Sequence, residues 1–393
     1  MILTGRRIFL DGRFVPGRLT FDTLFRAVER LDRPWDGGGT GGGTHCGRGA
    51  AEAGGAQEVF DAGEDYVIPG LIDLHTHAAV GADASDGSAG GLERMSRYYA
   101  ADGVTAWCPT TMTLLEPQLT AALAAVRDFR RPRDGARSAG VNLEGPFLSR
   151  EKCGAQNPAN LHAPDAALFH RLNEAAGGLV RLVTVAPELP GAEAFIRETS
   201  RACTVALGHT AADYDTALRA FAAGARHATH LFNAMPPLGH RAPGVVGAAF
   251  DAGATVELIP DGLHLAPTVL RMGFRLFGER TVLISDSLRC AGMPDGQYEL
   301  GGQSVTLRGG RATLSGTDTL AGSSIHLMEG LRRAVSFGVP LAEAVAAATG
   351  APAKVLGLEG RLGALVPGGY ADFVVLDASL AVRAVFLDGT RIR

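Results

Sequence analysis

Hydrophobic and polar positions change rhythm twice along this chain. The first residues alternate: Arg7 to Leu10, a turn at Asp11-Gly12, then Arg13 to Val15. An Asp-Gly pair between apolar runs predicts a β-hairpin. From residue 68 short apolar runs of β type alternate with Ala/Leu/Arg segments of helical period. Eight such runs begin near Ile68, Val104, Val141, Val180, Val205, His227, Thr255 and Val282. Helices are predicted over 116–131, 164–177, 191–202, 211–223 and 266–277. Eight strand–helix units over about 220 residues predict an α/β chain folded as a (β/α)8 TIM-like barrel. A doubly wound sheet would more often show five or six strands.

After Ser285 the alternation stops. Residues 297–314 read as a small β excursion, followed by helical stretches at 324–337, 340–349 and 351–357. The tail is strand-like again, from Gly368 to Asp377 and from Val382 to Leu387. β segments at both ends predict one small β domain built from residues 1–67 and 366–393, flanking a barrel at 68–365. Within the first part, about 36–56 is so rich in Gly that it reads as a mobile surface insertion. A phosphate-cradling loop would instead need a strand before it and a helix after it.

Composition narrows the function classes. Residues number 393, 46% of them hydrophobic, which is enough for one large barrel. A formal net charge of -4 and the absence of long like-charge runs speak against a nucleic-acid surface. No stretch is long and apolar enough for a signal peptide or a bilayer span. The cysteines, Cys46, Cys108, Cys153, Cys203 and Cys290, are odd in number and widely spaced. Neither a disulfide framework nor a zinc ribbon is favoured, and the expected address is a reducing cytoplasm.

Barrels of this type carry their chemistry at the C-terminal ends of the strands. The first run ends in His75-Thr76-His77, and strand period two puts both imidazoles on one face. The third run ends with Glu144, the fifth leads into His209, the sixth into His230 and the eighth into Asp286. A lone strand-end histidine is ordinarily structural. Here HxH, Glu, His, His and Asp fall on strands one, three, five, six and eight, all at the same end. Such a set can hold a divalent metal with an open position, which lowers the pKa of its water to about 7 and polarises a carbonyl. Asp286, outside the ligand set, is suited to take the water's proton and return it to a leaving amine. The expected reaction is amide hydrolysis.

These residues also carry a resemblance. PGLIDLHTH, LEGPFLS, VAPE (185–188), LGHT, HATHLFNAMPPL with Arg241-Ala-Pro-Gly, PDGLH (260–264), ISDS and TLAGS (319–323) occur in that order. Together, from about 66 to 376, they resemble the N-acetylglucosamine-6-phosphate deacetylases of the amidohydrolase superfamily. The resemblance implies Glu144, His209 and His230 as core metal ligands and Asp286 as general acid/base. It implies Asn233, Ala234, Arg241 and His264 on the sugar phosphate, and Leu320, Ala321 and Gly322 around the sugar and acetyl group. His75 and His77 would allow a second ion, so one or two of Zn, Fe or Mn per subunit are expected. It further implies deacetylation of N-acetyl-D-glucosamine 6-phosphate, and a homodimer in which the phosphate pocket is completed across the subunit interface. Two departures stand out: Ala78-Ala79 follow His77 where Gly is usual, and Ala155-Gln156 stand where the family usually has a histidine on the sugar. Gln156 can hydrogen-bond but carries no charge. The alternatives are a deacetylase of N-acetylgalactosamine 6-phosphate or another amidohydrolase. A dihydroorotase-like site would carry Lys at 144, and a silent binding barrel would have lost a ligand or Asp286.

Overall fold

The computed structural model describes residues 1–32 and 58–393. The Gly-rich segment expected to be mobile lies outside the described residues. The chain divides into two compact units, Met1–Gly70 with Glu359–Arg393, and Leu71–Leu358.

In the terminal unit, strands Ile2–Leu10 and Arg13–Phe21 pair antiparallel, with Phe9 opposite Phe14 and Leu10 opposite Arg13. Asp11 (φ 47°) and Gly12 (φ 78°) form the turn, the two positive φ values that a two-residue hairpin of this hand requires. Val59–Asp61 and Tyr66–Pro69 add in parallel to Ile2–Leu10, and Phe373–Leu376 pairs antiparallel with Tyr66–Pro69. One sheet is thus woven from both chain ends. Its core is aromatic: Phe21, Phe25, Phe373 and Phe386 are all buried, and Phe373 stacks on Phe386 at 4.3 Å between ring centroids.

The second unit is a (β/α)8 barrel. Its strands are β1 (Leu71–Thr76), β2 (Val104–Thr111), β3 (Val141–Glu144), β4 (Val180–Val185), β5 (Thr204–Leu207), β6 (His227–Ala228), β7 (Thr255–Leu258) and β8 (Thr281–Leu283). Each pairs in parallel with the next, from β1 through to β8. The seam between β8 and β1 is tied just beyond β8, where Asp286 N–H donates to His75 O at 2.9 Å and His77 N–H to Ser287 O at 3.1 Å. β1 and β2 are buried along their whole length, as expected of strands covered on both faces. The apolar run read as starting at Ile68 is in fact two strands. Tyr66–Pro69 belongs to the terminal sheet and β1 begins at Leu71, after Gly70.

A helix follows each barrel strand: α1 (Ala89–Ala101), α2 (Glu116–Asp128), α3 (Ala166–Ala175), α4 (Ala192–Thr199), α5 (Tyr214–Ala223), α6 (Gly244–Asp251), α7 (Pro267–Phe277) and α8 (Leu327–Ser336). Periodicity leaves α1 and α6 unread because each opens on glycines and small residues that blur the apolar stripe. α8 shows the expected pattern, burying Leu327, Met328, Leu331 and Ala334 on one face. Between β8 and α8 the chain makes the β excursion, a three-stranded antiparallel sheet of Gly296–Leu300, Gln303–Arg308 and Arg311–Leu314. Helices α9 (Leu341–Ala348) and α10 (Gly350–Leu356) complete the unit.

Candidate metal centre

Side chains from the ends of β1, β5 and β6 converge on Glu144 at the end of β3. Its Oε1 lies 3.0 Å from His230 Nε2, 3.2 Å from His209 Nε2 and 3.5 Å from His75 Nε2. Its Oε2 lies 3.1 Å from His77 Nε2. The two imidazole pairs close the figure, His209 to His230 at 3.0 Å and His75 to His77 at 3.4 Å between Nε2 atoms. Two trios share Glu144: His75 with His77, and His209 with His230. Asp286 stands beside the first trio, with Oδ1 3.4 Å from His77 Nε2 and 3.7 Å from His75 Nε2.

The backbone bends to make this possible. His209 (φ 45°), His230 (φ 25°) and Asp286 (φ 50°) all adopt left-handed conformations that non-glycine residues avoid. Each sits just past the end of its strand, where the reversal turns the side chain over the barrel axis. The price is met by specific braces. Glu188, from the VAPE segment, accepts from Ala211 N–H at 2.6 Å and holds the loop after His209. Asp286 O accepts from Ser323 N–H at 2.7 Å. That approach requires Gly322, because a Cβ there would fall 2.9 Å from Asp286 O.

The donor set fits a divalent metal on two grounds. First, His209 Nδ1 donates to Lys152 O (2.9 Å) and His75 Nδ1 to Glu257 Oε2 (2.8 Å). Neither acceptor can give a proton, so each ring turns its Nδ1–H outward and aims Nε2 at Glu144 and at another imidazole. A divalent cation at the centre would satisfy these atoms together. Separations of 3.0–3.5 Å match the edge of a tetrahedron of N/O ligands about 2.0–2.1 Å from its centre, roughly 3.3 Å. Second, Glu144, Glu257 and Asp286 are buried, and no Lys or Arg is buried among the described residues. Positive charge must come from elsewhere. Burial opposes ionisation of Glu144, yet His75 and His209 hold its carboxyl well below the usual range. Burial likewise opposes a proton on His77, but Asp286 and Glu144 keep it there up to about 9. Asp286 is held below its ordinary value against its burial, through His77.

The centre opens into a cavity of about 340 Å³. Gln156, Asn233, Ala234, His264, Leu320, Ala321 and Gly322 line it, as does Ala155. Arg241 does not: it lies in the exposed stretch His240–Ala242, donating to His240 Nε2 at 2.8 Å. Gln156 faces the cavity, but both ends of its amide are committed. Its Nε2 donates to Glu144 Oε2 at 2.7 Å and its Oε1 accepts Thr113 N–H at 2.8 Å. Asn233 turns its amide group back on His230 O and Leu231 O. Beside the Ala78-Ala79 departure the loop forms a short β-bridge pair with Ala82–Asp83.

A family model for the amidohydrolase family matches residues 66–392. This chain belongs to the amidohydrolase family. Among its relatives, an N-acetylglucosamine-6-phosphate deacetylase of Bacillus subtilis (strain 168) is 38% identical over 335 residues, covering 83% of this chain and 84% of that protein. An N-acetylgalactosamine-6-phosphate deacetylase of Escherichia coli O157:H7 is 36% identical over 335 residues, covering 84% and 89%. The amidohydrolase also superposes on a mutant N-acetyl-D-glucosamine-6-phosphate deacetylase of Mycobacterium smegmatis, solved in complex with N-acetyl-D-glucosamine-6-phosphate. The TM-score is 0.87 at 35% identity, covering 100% of this chain and 99% of that one.

Three residues of this amidohydrolase escape a search of strand ends. Glu257 contacts His75 and His227 from within β7; its signal was a carboxylate in the apolar run Thr255-Val-Glu-Leu. Asp261 accepts from His264 Nδ1 at 2.7 Å and from the N–H groups of Leu263 and His264. Thr113 pins Gln156 through a backbone N–H that no sequence pattern marks.

Proposed function

We propose that this amidohydrolase removes the acetyl group of N-acetyl-D-glucosamine 6-phosphate, giving D-glucosamine 6-phosphate and acetate. The observation that carries this is the position of Asp286, beside the HxH–Glu–His–His cluster, where it lines one cavity with His77, Glu144, His209 and His230. Glu144, His209 and His230 would hold a divalent metal, and His75 and His77 with Glu144 a second, which would supply an acidified water and a polarised carbonyl. Zn, Fe or Mn suits this imidazole–carboxylate set. Asp286, ionised, takes a proton from the attacking water at Oδ1 and hands it to the departing amine nitrogen, as the amide C–N bond breaks. Ala321 and Gly322 bound the cavity beside it. His264 is the cavity's candidate phosphate contact: burial opposes a proton on its ring, but Asp261 raises its pKa above the ordinary value and so favours the cation.

The substrate assignment draws support from the deacetylases named above, two thirds or more of whose length this chain covers. The N-acetylgalactosamine-6-phosphate deacetylase at 36% identity favours the epimeric sugar as the second reading. We place the enzyme in the cytoplasm as a homodimer. Leu238, Leu263 and Arg241 are exposed, and a second copy would cover them. Among the described residues no helix is long and apolar enough to cross a membrane.

The test is acetate release from both N-acetylated epimers, each with and without the 6-phosphate, by the metal-loaded protein. Fast turnover of N-acetyl-D-glucosamine 6-phosphate is expected. Turnover of the unphosphorylated sugars at equal kcat/KM would refute the substrate assignment, leaving amide hydrolysis intact.

A further inference from the structure

We propose that Glu257 is a positioning residue shared by both halves of the metal centre, bracing one ligand of each trio with a single carboxylate oxygen. The proposal rests on the metal reading above.

Glu257 stands in β7, fully buried, and touches neither the cavity nor Glu144. Its Oε2 accepts from His75 Nδ1 at 2.8 Å and from His230 N–H at 3.0 Å. Its Oε1 accepts from His227 Nε2 at 3.0 Å, and its carbonyl oxygen accepts Leu231 N–H at 2.9 Å. A carboxylate inside a barrel is costly unless every lone pair is used, and here the donors come from β1 and from the β6 strand and its loop.

Two consequences follow from that arrangement. A carboxylate cannot donate, so His75 presents Nδ1–H to Glu257, and its ring is fixed with Nε2 aimed at Glu144 and His77. The HxH trio is thereby preset for a cation. His230 is held differently. Its Nδ1 has no hydrogen-bond partner among the described residues, so its ring is not tethered from behind. Instead Oε2 captures its backbone N–H, at the residue whose φ of 25° most needs holding. One oxygen therefore orients a ring in the first trio and a backbone in the second.

The rival account is that Glu257 merely joins β6 to β7 through His227. Substitutions at the two ends of the carboxylate separate these. E257A removes both oxygens, whereas E257Q can keep one oxygen on His75 and His230 with its NH2 on His227 and serves as the conservative control. H227Q disturbs the β6 end and leaves the His75 contact in place. The measurement is titration of metal-free protein with Zn(II) against a chromophoric chelator, alongside thermal unfolding. We expect the wild type to bind two equivalents. In E257A the weaker equivalent should lose about 10- to 100-fold in affinity, whereas H227Q should stay within about 3-fold whatever its Tm. Wild-type affinities for both equivalents in E257A would overturn the proposal and leave the metal reading standing. A wild-type protein that binds no Zn(II) would instead overturn the metal reading, and this proposal with it. Should E257A fail to fold, ¹⁵N NMR of the metal-free wild type decides: a proton on His75 Nδ1 is expected, and an Nδ1 without one would overturn the proposal.

Discussion

Asp261→Asn tests how this enzyme would hold a phosphate. Asp261 Oδ1 accepts the N–H groups of Leu263 and His264, both at 2.8 Å, and Oδ2 accepts from His264 Nδ1 at 2.7 Å. Asparagine can keep the first pair, so the turn should survive. Its NH2 would face His264 Nδ1 and force that nitrogen to accept, which removes the reason for the ring to be cationic. The ring's pKa is raised because Asp261 outweighs a burial that by itself would lower it, and Asp261's own pKa is lowered against burial by the same pair. For stability the signs run as follows. A raised His264 stabilises fully below about 6.5, and that gain is lost as pH rises through its folded value. A lowered Asp261 stabilises above about 3.8–3.9, and that gain is lost as pH falls through its folded value. The pair is therefore worth most between these limits, and the variant should lose stability chiefly there. For binding, a charge-assisted contact to phosphate is worth about 1.5–3 kcal/mol against about 0.5–1.5 for a neutral one. The difference of about 1–2 kcal/mol predicts a KM raised roughly 5- to 30-fold for the phosphorylated sugar near pH 7.5, with kcat little changed. In the wild type, KM should climb as pH passes the raised pKa of His264; in Asp261→Asn the climb should begin at lower pH. Steady-state kinetics from pH 7 to 10, where the phosphate is a dianion throughout, would show this. A KM and pH profile identical to wild type, or an equal change for the unphosphorylated sugar, would refute the reasoning.

Other perturbations have equally definite outcomes. Asp286→Asn keeps the backbone ties to His75 O and Ser323 N–H, so folding and metal content should persist while kcat falls at least 10²-fold; a two- or three-fold loss by the acetate assay would mean that Asp286 only orients a neighbour. His209→Ala removes one ligand of the second trio and should lose most bound metal by elemental analysis, with nearly all turnover; full metal content would discredit that trio. Gln156→Ala frees Glu144 Oε2 and Thr113 N–H, so Zn(II) affinity should drop about 10-fold, and a change in epimer preference with no change in affinity would put Gln156 on the sugar instead. Because the carboxylates keep a proton on His77 up to about 9, a metal must displace it, and apparent affinity at the HxH trio should rise with pH to about that value; pH-independent Zn(II) titrations would contradict this.

Much of the fold was legible because strands covered on both faces must be apolar throughout, and eight such runs survive in the sequence. What blurred was local. Ile68-Pro-Gly-Leu-Ile reads as one run, although Gly70 separates two strands that belong to different units. The members of the two candidate trios were legible for a related reason: a histidine or carboxylate at the end of a β run has few places to go but the barrel rim. Residues that act from inside the barrel leave a fainter mark. Glu257 breaks an apolar strand, but a single polar residue in a run of four is a common event, and only the three donors gathered on it show its part. Gln156 illustrates the opposite limit. The resemblance implied a sugar contact; its side chain lines the cavity, and its amide also meets Glu144 and a backbone N–H. Hydrogen-bond direction is a property of the assembled site, and no spacing encodes it.

The three left-handed residues bear on why the second trio and Asp286 sit where they do. His209, His230 and Asp286 each leave a parallel strand whose continuation would carry the side chain outward or along the wall, not over the axis. A positive φ reverses the chain within one residue and so keeps each functional atom close to a rigid strand. Such a conformation costs on the order of 1–3 kcal/mol per residue, and each is matched by contacts that the relaxed backbone would lose: Glu188 on the loop after His209, Glu257 on His230 N–H, and Ser323 N–H on Asp286 O. Two of these braces reach the site from elements that carry no ligand, namely the Glu188 loop after β4 and β7 itself. The strands without ligands are therefore not idle in this barrel. They hold strained neighbours in place, which accounts for the buried carboxylate of Glu257 and the half-buried one of Glu188 at positions where the chemistry itself needs none.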